Sequence, residues 1–559
     1  GRPMWGKPFS TGPWIGRWFR ECPSTNEKIC SCSRKAKIVT TGISLKYFAD
    51  YNLRMTLKSR RIKRLARIQN DKELNMPMMT PQQYEESLRK LNLEVYMFGK
   101  RLENVVDDPI IRPSMNAVAK TYELAQKPEY QDIMVATSHI SGNKINRFTH
   151  IHQSTADLVR KSKMGRLLGR HTGCCFQRCV GMDSLNALSI VTFNIDAEYK
   201  TAYYQRFLDY LAYVQEGDLT CDGAMTDPKG DRSLPPHAQP DPDLYLHVVE
   251  ERADGIVVRG AKAHQTGAVN SHEIIVMPTL SMKKEDLDYA VSFALPSDTD
   301  GIVYIMGRQS CDTRKSEGGN MDQGNLIYGG HEALVVFDDV FVPWDRVFMY
   351  KEYDFSGQLV EYFATYHRQS YACKVGVGDV LIGAAQTAAE YNGASRASHI
   401  KDKVIEMNHL NETLFCGCIA CASEGHKESS GTFALNSLLA NVHKHNVTRF
   451  PYEISRLAQD IAGGLMVTMP SEKDLRSPKT AKWVDKYFKA DPNVSTENRL
   501  RILRLIENLC LGTAAVGYLT ESMHGAGSPQ AQRIMISRLV NLSEKQKTAK
   551  RLCGIEEES

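Results

Sequence analysis

Gly255-Ile256-Val257-Val258-Arg259-Gly260 is the stretch that decides the fold of this 559-residue chain. The run is short, rich in β-branched residues and bounded by glycine, which predicts a strand rather than a helix. Similar runs follow at 273–278, 301–306 and 333–337. We therefore expect a compact antiparallel β-domain over residues 219–352.

The sequence on either side of these strands has helical spacing instead. Apolar residues recur at helical intervals over 83–91 and from 156 onward, and again over 398–422 and 500–515. Strands grouped in the middle of a chain, between two helical regions, predict an α+β protein rather than an alternating parallel sheet. The predicted domains are an N-terminal helical domain at 76–218, a middle β-domain at 219–352 and a C-terminal helical domain at 353–559.

Length and composition are those of a soluble globular protein with several domains. The chain is too long for a single core, and its contents of 42% hydrophobic and 24% charged residues are ordinary. No run of about 18 apolar residues stands out, so we predict no membrane-spanning helix and expect no membrane partner.

The first 75 residues differ from the rest in charge. Residues 1–70 contain 16 Lys/Arg and only 3 Asp/Glu, whereas the whole chain has a formal charge of only +5. The remainder is therefore acidic, which argues against nucleic-acid binding. We expect residues 1–75 to be a basic extension, disordered or not native, with the functional chain starting near Met76. A basic leader could also target an organelle; otherwise we expect a cytoplasmic protein.

Two cysteine-containing segments are the strongest chemical signal. Fourteen cysteines are too few for a disulfide scaffold in a chain of this length, so we expect reduced thiols, some of them metal ligands. One segment is Cys175-Phe176-Gln177-Arg178-Cys179, and the other is His367-Arg368-Gln369-Ser370-Tyr371-Ala372-Cys373-Lys374. Three thiols and one imidazole suffice for an iron–sulfur cluster or a closed zinc site. On a helix, cysteines four residues apart would face the same way.

A second group of cysteines has a metal-like spacing as well. Cys416, Cys418 and Cys421 follow a smooth helical pattern, with no histidine or carboxylate between the thiols. Free cysteine is among the most buried residue types, so we interpret this group as helix packing.

Three polar turns offer groups for a ligand. The turn at 224–232 provides backbone N–H groups, a hydroxyl and two cations, which suit a ring carbonyl and a pyrophosphate. An ordinary Asp-Pro turn would have a similar composition. A second turn at 263–267 lies between predicted strands. The third, at 520–529, places Glu521 in a glycine-rich stretch that permits close approach of a ligand.

Five phrases of the chain together resemble the family of 4-hydroxybutyryl-CoA dehydratase, which also acts as vinylacetyl-CoA Δ-isomerase. They are CFQRCVGMD at 175–183, MTDPKGDR at 225–232, GAKAHQTG at 260–267, YHRQSY at 366–371 and TESMHGAGSPQAQR at 520–533. The resemblance runs from about residue 79 to 551. It implies the acyl-CoA dehydrogenase-like fold, FAD, one [4Fe–4S] cluster per subunit, an acyl-CoA substrate and a homotetramer.

The resemblance also assigns roles to individual residues. It implies the cluster ligands Cys175, Cys179, His367 and Cys373. It implies FAD contacts at Met225, Thr226, Asp227, Pro228, Lys229, Gly230, Asp231, Arg232, Gln265 and Thr266. It implies substrate contacts at Arg166, Gln177 and Ala526, and acid–base roles for His367, Tyr371, Glu521, Glu332 and Lys374.

The implied reaction explains why so many groups are needed. Dehydration of 4-hydroxybutyryl-CoA removes a proton from C3 and hydroxide from C4, although the thioester acidifies only C2. The resemblance implies that a base first takes the C2 proton, that the flavin removes and later returns one electron, and that cluster iron assists the loss of hydroxide. Glu521, Tyr371 and His367 are the candidate proton carriers.

The second ligand segment departs from the family pattern. Six residues separate the ligand histidine from the third cysteine in the family, but only five separate His367 from Cys373. On a continuous helix, this spacing would place Cys373 about 120° away from the face of His367. We therefore predict a weakened cluster site, unless the backbone is irregular near Ala372.

Two other functions remain open at this point. A flavin-dependent aromatic hydroxylase of the 4-hydroxyphenylacetate monooxygenase type would share the fold but has no need of Cys175 and Cys179. A non-catalytic flavin- or acyl-CoA-binding protein that lost its cluster through the shortened spacing is the third interpretation.

Overall fold

The computed structural model describes residues 78–228 and 230–555 of the protein. The basic extension predicted at 1–75 and the predicted FAD contact Lys229 lie outside these residues.

The region before residue 219 contains helices together with short strands. The helices are α1 (Pro81–Leu88), α2 (Arg112–Gln126), α3 (Gln131–Met134), α4 (Thr155–Thr172), α5 (Cys179–Tyr199) and α6 (Tyr203–Glu216). The strands are β1 (Glu94–Met97), β2 (Lys100–Arg101), β3 (Val135–Thr137) and β4 (Lys144–Asn146). The prediction of a purely helical N-terminal region was wrong in this respect, because β1 and β2 join the main sheet.

The middle region forms two sheets. Its strands are β5 (Cys221–Ala224), β6 (His247–Glu251), β7 (Gly255–Thr266), β8 (Glu273–Val276), β9 (Val291–Pro296), β10 (Ile302–Met306), β11 (Glu332–Pro343) and β12 (Val347–Tyr350). The six-stranded sheet has the order β2-β1-β10-β11-β7-β6, and the four-stranded sheet has the order β12-β9-β8-β5. All four strand runs predicted from the sequence are confirmed.

The expected antiparallel pairing holds for most neighbours but not for all. Strand β1 pairs with β10 in parallel, and β5 pairs with β8 in parallel. Parallel neighbours need a long crossover connection, which short runs of sequence do not reveal. The sheets are therefore mixed, and the prediction of a wholly antiparallel domain was wrong.

One hydrophobic core joins the N-terminal helices to both sheets. It includes Tyr84 of α1 and Leu185 of α5 together with Val258, Phe293 and Phe337 from the strands, and all five side chains are buried. The helical region and the sheets thus stabilise each other. The domain boundary that we predict at residue 219 falls between α6 and β5.

The region after residue 352 is helical, as predicted, apart from one small hairpin. Its helices are α7 (Tyr353–Ser370), α8 (Ala372–Tyr391), α9 (Ser398–Ser423), α10 (Ser437–Val447), α11 (Phe450–Ala462), α12 (Leu465–Thr468), α13 (Glu472–Arg476), α14 (Ala481–Phe488), α15 (Thr496–Cys510), α16 (Thr513–Ala515), α17 (Glu521–His524), α18 (Pro529–Leu539) and α19 (Leu542–Leu552). The hairpin is formed by β13 (His426–Lys427) and β14 (Phe433–Ala434).

The second cysteine group lies in α9. Cys418 and Cys421 are buried and Cys416 is exposed, an arrangement that fits the interpretation as helix packing. In the described residues one helical stretch, Thr496–Leu539, is long and apolar enough to cross a membrane. Such a stretch alone is weak support for a membrane protein, because core helices of soluble proteins meet the same criteria.

Helices α4 and α8 approach each other closely through glycines. A Cβ atom placed on Gly169 of α4 would lie 2.9 Å from the Cα of Gly376 and would overlap the carbonyl oxygen of Cys373. A Cβ on Gly165 would meet the Cβ of Ala372 at 3.1 Å. The start of α8, which carries Cys373, is therefore positioned by direct backbone contact with α4.

We predict that Gly169→Ala destabilises the protein by about 1–3 kcal/mol, because the methyl group must push α8 away from α4. The matched control is Gly383→Ala in α8, where no described atom lies within 4 Å of the added Cβ. This second change should be neutral or stabilise by up to about 1 kcal/mol through helix propensity. Thermal melting of both variants measures the difference, and equal melting temperatures would contradict the close crossing.

Candidate functional site

The first ligand segment is a loop followed by a helix. Cys175 lies in the irregular turn after α4, and Cys179 is the first residue of α5. The expectation that one helical face carries both cysteines was therefore wrong. Between them Gln177 adopts a left-handed backbone with φ 60°. Its side-chain amide donates to the carbonyl oxygens of Cys175 at 3.3 Å and Gly329 at 3.0 Å, which holds the loop against the β-region.

The second ligand segment contains a break between two helices. Helix α7 ends at Ser370 and α8 begins at Ala372, with Tyr371 between them at φ −64° and ψ 0°. The Tyr371 N–H donates to the Arg368 carbonyl at 3.4 Å, a tighter turn than the α-helical one. The backbone is thus irregular next to Ala372, and the angular argument for a continuous helix does not apply to His367 and Cys373.

The three thiols and the imidazole lie in one buried region. Burial, and then the charges of Asp183 and Cys373, raise the pKa of Cys179 well above its ordinary value. Burial likewise raises the pKa of Cys175, which the charges of Glu521 and then Cys179 and Cys373 raise further. The ligand atoms of Cys179 and His367 lie within 4.8 Å of each other and of Asp183. The structure therefore brings two of the four predicted ligands, Cys179 and His367, within ligand distance of each other, and the thiols of Cys175 and Cys373 lie near enough to Cys179 for their charges to interact.

A buried carboxylate orients the imidazole. Nδ1 of His367 lies 2.9 Å from Oδ2 of Asp183, and Nζ of Lys161 lies 2.6 Å from Oδ1 of the same carboxylate. Burial alone would raise the pKa of Asp183, but Lys161 and then His367 hold it below its ordinary value. The charged carboxylate places the imidazole proton on Nδ1 and leaves Nε2 for a metal. Sequence reasoning gave Asp183 no role; its position four residues after Cys179 was the available signal.

An ion pair lies beside the thiols. Nζ of Lys374 is 2.8 Å from Oε2 of Glu521, and Oε1 of Glu521 lies 4.0 Å from Sγ of Cys175. Burial alone would lower the pKa of Lys374, but Glu521 raises it well above its ordinary value, so the lysine is charged. Glu521 begins α17 directly after a π-helical turn, Val516–Thr520. Such turns are frequent at functional sites.

Tyr371 joins the helix break to the same carboxylate segment. Its hydroxyl donates to the Glu521 carbonyl oxygen at 3.1 Å. Burial, and then the charge of Glu521, raise the pKa of Tyr371 well above its ordinary value, so the phenol keeps its proton. A Cβ on Gly525 would overlap the Tyr371 hydroxyl, so glycine is required there for this close approach.

The β-region contributes Glu332 and Thr266. These residues face each other across strands β11 and β7, and the Thr266 hydroxyl donates to Oε2 of Glu332 at 2.7 Å. Burial, and then the charge of Glu521, raise the pKa of Glu332 well above its ordinary value. The surroundings of Glu332 therefore favour its protonated form.

The predicted FAD segment is partly buried and partly exposed. Asp227 is buried and lies 2.9 Å from Nζ of Lys262, so its carboxylate points inward. The Thr226 carbonyl accepts a hydrogen bond from the Ala263 N–H at 2.8 Å, which joins the segment to β7. The residues beyond are exposed; they are Pro228, Gly230, Asp231 and Arg232. Met225 is partly buried, whereas Gln265 is buried next to Thr266 at the end of β7.

The predicted substrate contacts differ in their surroundings. Arg166 donates to both oxygens of Asp379, at 2.9 and 3.0 Å, and also pairs with Glu412. The guanidinium of Arg166 would have to release one of these carboxylates before it could bind a substrate. Gln177 is buried in the loop described above, and Ala526 is buried against Tyr371 with φ 55°.

Comparisons with known proteins match the chain to two family models and to a characterised enzyme. Residues 80–349 match the family described as 4-hydroxyphenylacetate 3-hydroxylase N terminal, and residues 356–554 match its C-terminal counterpart. The chain is 62% identical over 488 residues to the 4-hydroxybutyryl-CoA dehydratase/vinylacetyl-CoA Δ-isomerase of Clostridium aminobutyricum, which covers 86% of this chain and 100% of that one.

Two solved structures resemble this chain. An oxygen-tolerant archaeal 4-hydroxybutyryl-CoA dehydratase from N. maritimus superposes with a TM-score of 0.85 at 56% identity, covering 86% of this chain and 96% of that one. The oxygenase component of 4-hydroxyphenylacetate 3-monooxygenase complexed with FAD has a TM-score of 0.75 at 21% identity, covering 85% and 98%. At that identity the second likeness shows the fold alone.

We predict that Asp183→Asn destabilises the protein by about 3 kcal/mol, because it leaves the buried Lys161 without its counter-charge. Chemical denaturation at neutral pH measures the change. The matched control is Asp222→Asn, since Asp222 is also buried but burial raises its pKa to about 7.

The Asp222 control carries its own pH dependence. The folded protein holds the Asp222 proton more tightly than the unfolded chain, so wild-type stability falls as pH rises from about 4 to about 7. Asp222→Asn should therefore gain stability relative to wild type over that interval. A loss at Asp183→Asn no larger than that at Asp222→Asn would contradict the orienting role of Asp183.

Proposed function

This chain belongs to the 4-hydroxybutyryl-CoA dehydratase/vinylacetyl-CoA Δ-isomerase family. From that premise we propose that it dehydrates 4-hydroxybutyryl-CoA to crotonyl-CoA and isomerises vinylacetyl-CoA to the same product. The observation that carries the proposal is that Cys175, Cys179 and Cys373 lie with His367 in one buried region beside the Glu521–Lys374 ion pair.

The donor set fits a [4Fe–4S] cluster. Three buried free thiols and an imidazole with Nε2 available would supply four ligands, and the thiols would lose their protons to a positively charged iron centre. The raised pKa values of the unbound thiols follow from burial and mutual repulsion. When bound, the cluster would supply a Lewis-acidic iron near the substrate hydroxyl. Zinc suits the same donors, so metal analysis has to separate the two.

The flavin site that we propose lies along 225–232 and at Gln265 and Thr266. Two features support this site. The turn at 230–232 is exposed, and Thr266 at the end of β7 donates a hydrogen bond to Glu332. When bound, FAD would supply one-electron oxidation and reduction of the acyl chain. Lys262 fixes this segment by bonding to Asp227 and to the Met225 carbonyl.

The titratable residues divide into one base and several acids. Isomerisation moves a proton from C2 to C4, so the site needs a base near C2 and an acid near C4. Glu521, whose carboxyl group contacts the ammonium group of Lys374, is the candidate base. Tyr371 and Glu332 keep their protons because burial raises their pKa values, and they are the candidate acids. We propose that His367 is held as a ligand rather than as a free proton carrier, since Asp183 fixes its Nδ1 proton.

We also propose a cytoplasmic homotetramer. The C-terminal helices expose large apolar side chains, among them Val467, Trp483, Tyr487, Leu511 and Leu552. Exposed apolar groups of this kind are frequent where subunits meet. The free cysteines of the described residues fit a reducing compartment.

The two alternative functions have weaker support. An aromatic hydroxylase would share the fold but has no use for three thiols gathered beside an imidazole. The shortened His367–Cys373 spacing gives less support to a lost cluster, since the break at Tyr371 separates the two helices.

The test of the function is anaerobic turnover. Protein purified without oxygen should contain close to four iron and four sulfide per chain and should convert vinylacetyl-CoA to crotonyl-CoA. Flavin binding without crotonyl-CoA formation would support the non-catalytic alternative instead, and zinc in place of iron would refute the cluster.

We predict that Cys175→Ser loses most of its iron, because a hydroxyl is a poor replacement for a thiolate ligand. The adjacent Cys174→Ser is the matched control. The Cys174 thiol is buried too, but it donates to the Gly329 carbonyl at 3.3 Å, and a serine hydroxyl can replace that bond. Iron per folded chain is measured for both variants; equal iron contents would contradict the ligand assignment.

A further inference from the structure

The backbone of the Glu521 segment is held by side chains from two other helices and from the break between α7 and α8. Helix α17 has only four residues, so most of its carbonyl groups lack partners within the helix. Tyr371 donates to the Glu521 carbonyl at 3.1 Å, and Lys444 of α10 donates to the Ser522 carbonyl at 2.7 Å. Arg368 of α7 donates through Nε to the Ala526 carbonyl at 3.3 Å. These contacts form a clamp around residues 521–526.

Lys444 is the most unusual member of this clamp. Its side chain is 0% exposed, and within the described part of the chain no ion pair joins it to a carboxylate. Its ammonium group lies 4.5 Å from the centre of the Tyr371 ring, so it contacts both Tyr371 and the Glu521 segment. Burying an ammonium group without a carboxylate partner is costly, and an apolar side chain of similar volume would be the more stable choice. The amine is therefore better explained by what it holds than by stability.

We propose that Lys444 is a positioning residue for the reaction: its amine fixes the Ser522 carbonyl and the Tyr371 ring, and thereby places Glu521 against Lys374 and Cys175. This inference rests on the proposed function only for its kinetic consequence. The clamp itself is a property of the folded chain.

The charge of Lys444 adds a pH dependence to this geometry. Burial, and then the charge of Arg368, lower the pKa of Lys444 to about 7. The other charged or titratable groups that interact with it are Glu521, Lys374, His443 and His445, with the Tyr371 phenol at its ring contact. Below pH 7 the ammonium is charged and bonds more strongly to the carbonyl and to the ring. The pH profile of kcat should then contain an inflection near 7 that belongs to Lys444.

The experiment compares Lys444→Met, which removes the donor, with Lys444→Arg, which keeps a charged donor. The control is Lys403→Met in α9, which removes a lysine paired with Asp460 at 2.7 Å in the same helical region. Hydrogen exchange of the amides at 521–527, iron and flavin content, kcat and KM for vinylacetyl-CoA, and the pH profile of kcat are measured for each.

The inference predicts that Lys444→Met keeps its iron and flavin but exchanges the amides at 521–527 roughly tenfold faster. Its kcat should fall by roughly tenfold or more while KM changes by less than about threefold, because a misplaced base affects chemistry more than binding. Lys444→Arg should recover part of kcat and lose the inflection near pH 7. Lys403→Met should leave exchange at 521–527 and kcat unchanged.

Three results would overturn the inference. The first is amide hydrogen exchange at 521–527 in Lys444→Met at the wild-type rate. The second is an unchanged kcat in Lys444→Met that contains iron and flavin, and the third is an inflection near pH 7 in the kcat profile that persists in Lys444→Arg. If Lys444→Met does not fold, the pH profile of Lys444→Arg decides. Wild-type protein without any turnover would refute the proposed function, whereas faster exchange in Lys444→Met would still support the clamp.

Discussion

The site depends on one interruption of helical structure, at Tyr371. Without it, α7 and α8 would form a single helix, and His367 and Cys373 would face different directions. Contacts on both sides stabilise this break. Before it, Oδ2 of Asp183 lies 2.9 Å from Nδ1 of His367; after it, the first turn of α8 packs directly against the glycines of α4. The Tyr371 side chain, released from the helix register, reaches the Glu521 carbonyl. A single residue thus links the proposed metal ligands to the candidate base.

Burial gives each titratable group near this break its protonation state. Glu521 lies 2.8 Å from the ammonium group of Lys374, whereas Glu332 accepts a hydrogen bond from the Thr266 hydroxyl and has a pKa that burial raises well above its ordinary value. Two carboxyl groups in such different surroundings suit a reaction that takes a proton from one carbon and returns it to another. Asp183 also has a lysine partner, and the charge of Lys161, with that of His367, holds the pKa of Asp183 below its ordinary value despite burial. The same low-polarity surroundings therefore give these three carboxyl groups different properties.

The fold was largely predictable from periodicity, and the candidate ligands followed from residue type and resemblance. Strands with β-branched runs, such as Gly255–Thr266, and long periodic helices, such as Ser398–Ser423, were found where expected. The parallel pairs of β1 and β5 were missed because pairing partners depend on tertiary connections rather than on local pattern. Two further features were missed for a related reason. The loop conformation at Cys175 depends on the positive φ of Gln177, and the proposed role of Lys444 depends on a contact with Ser522, 78 residues away; neither leaves a signal in the local sequence.

An anaerobic crystal structure with diffraction collected on both sides of the iron edge tests the central claim most directly. The account predicts a cube of four iron sites bound by the sulfur atoms of Cys175, Cys179 and Cys373 and by Nε2 of His367. A single zinc site, or iron that leaves Cys373 or His367 unbound, would contradict it.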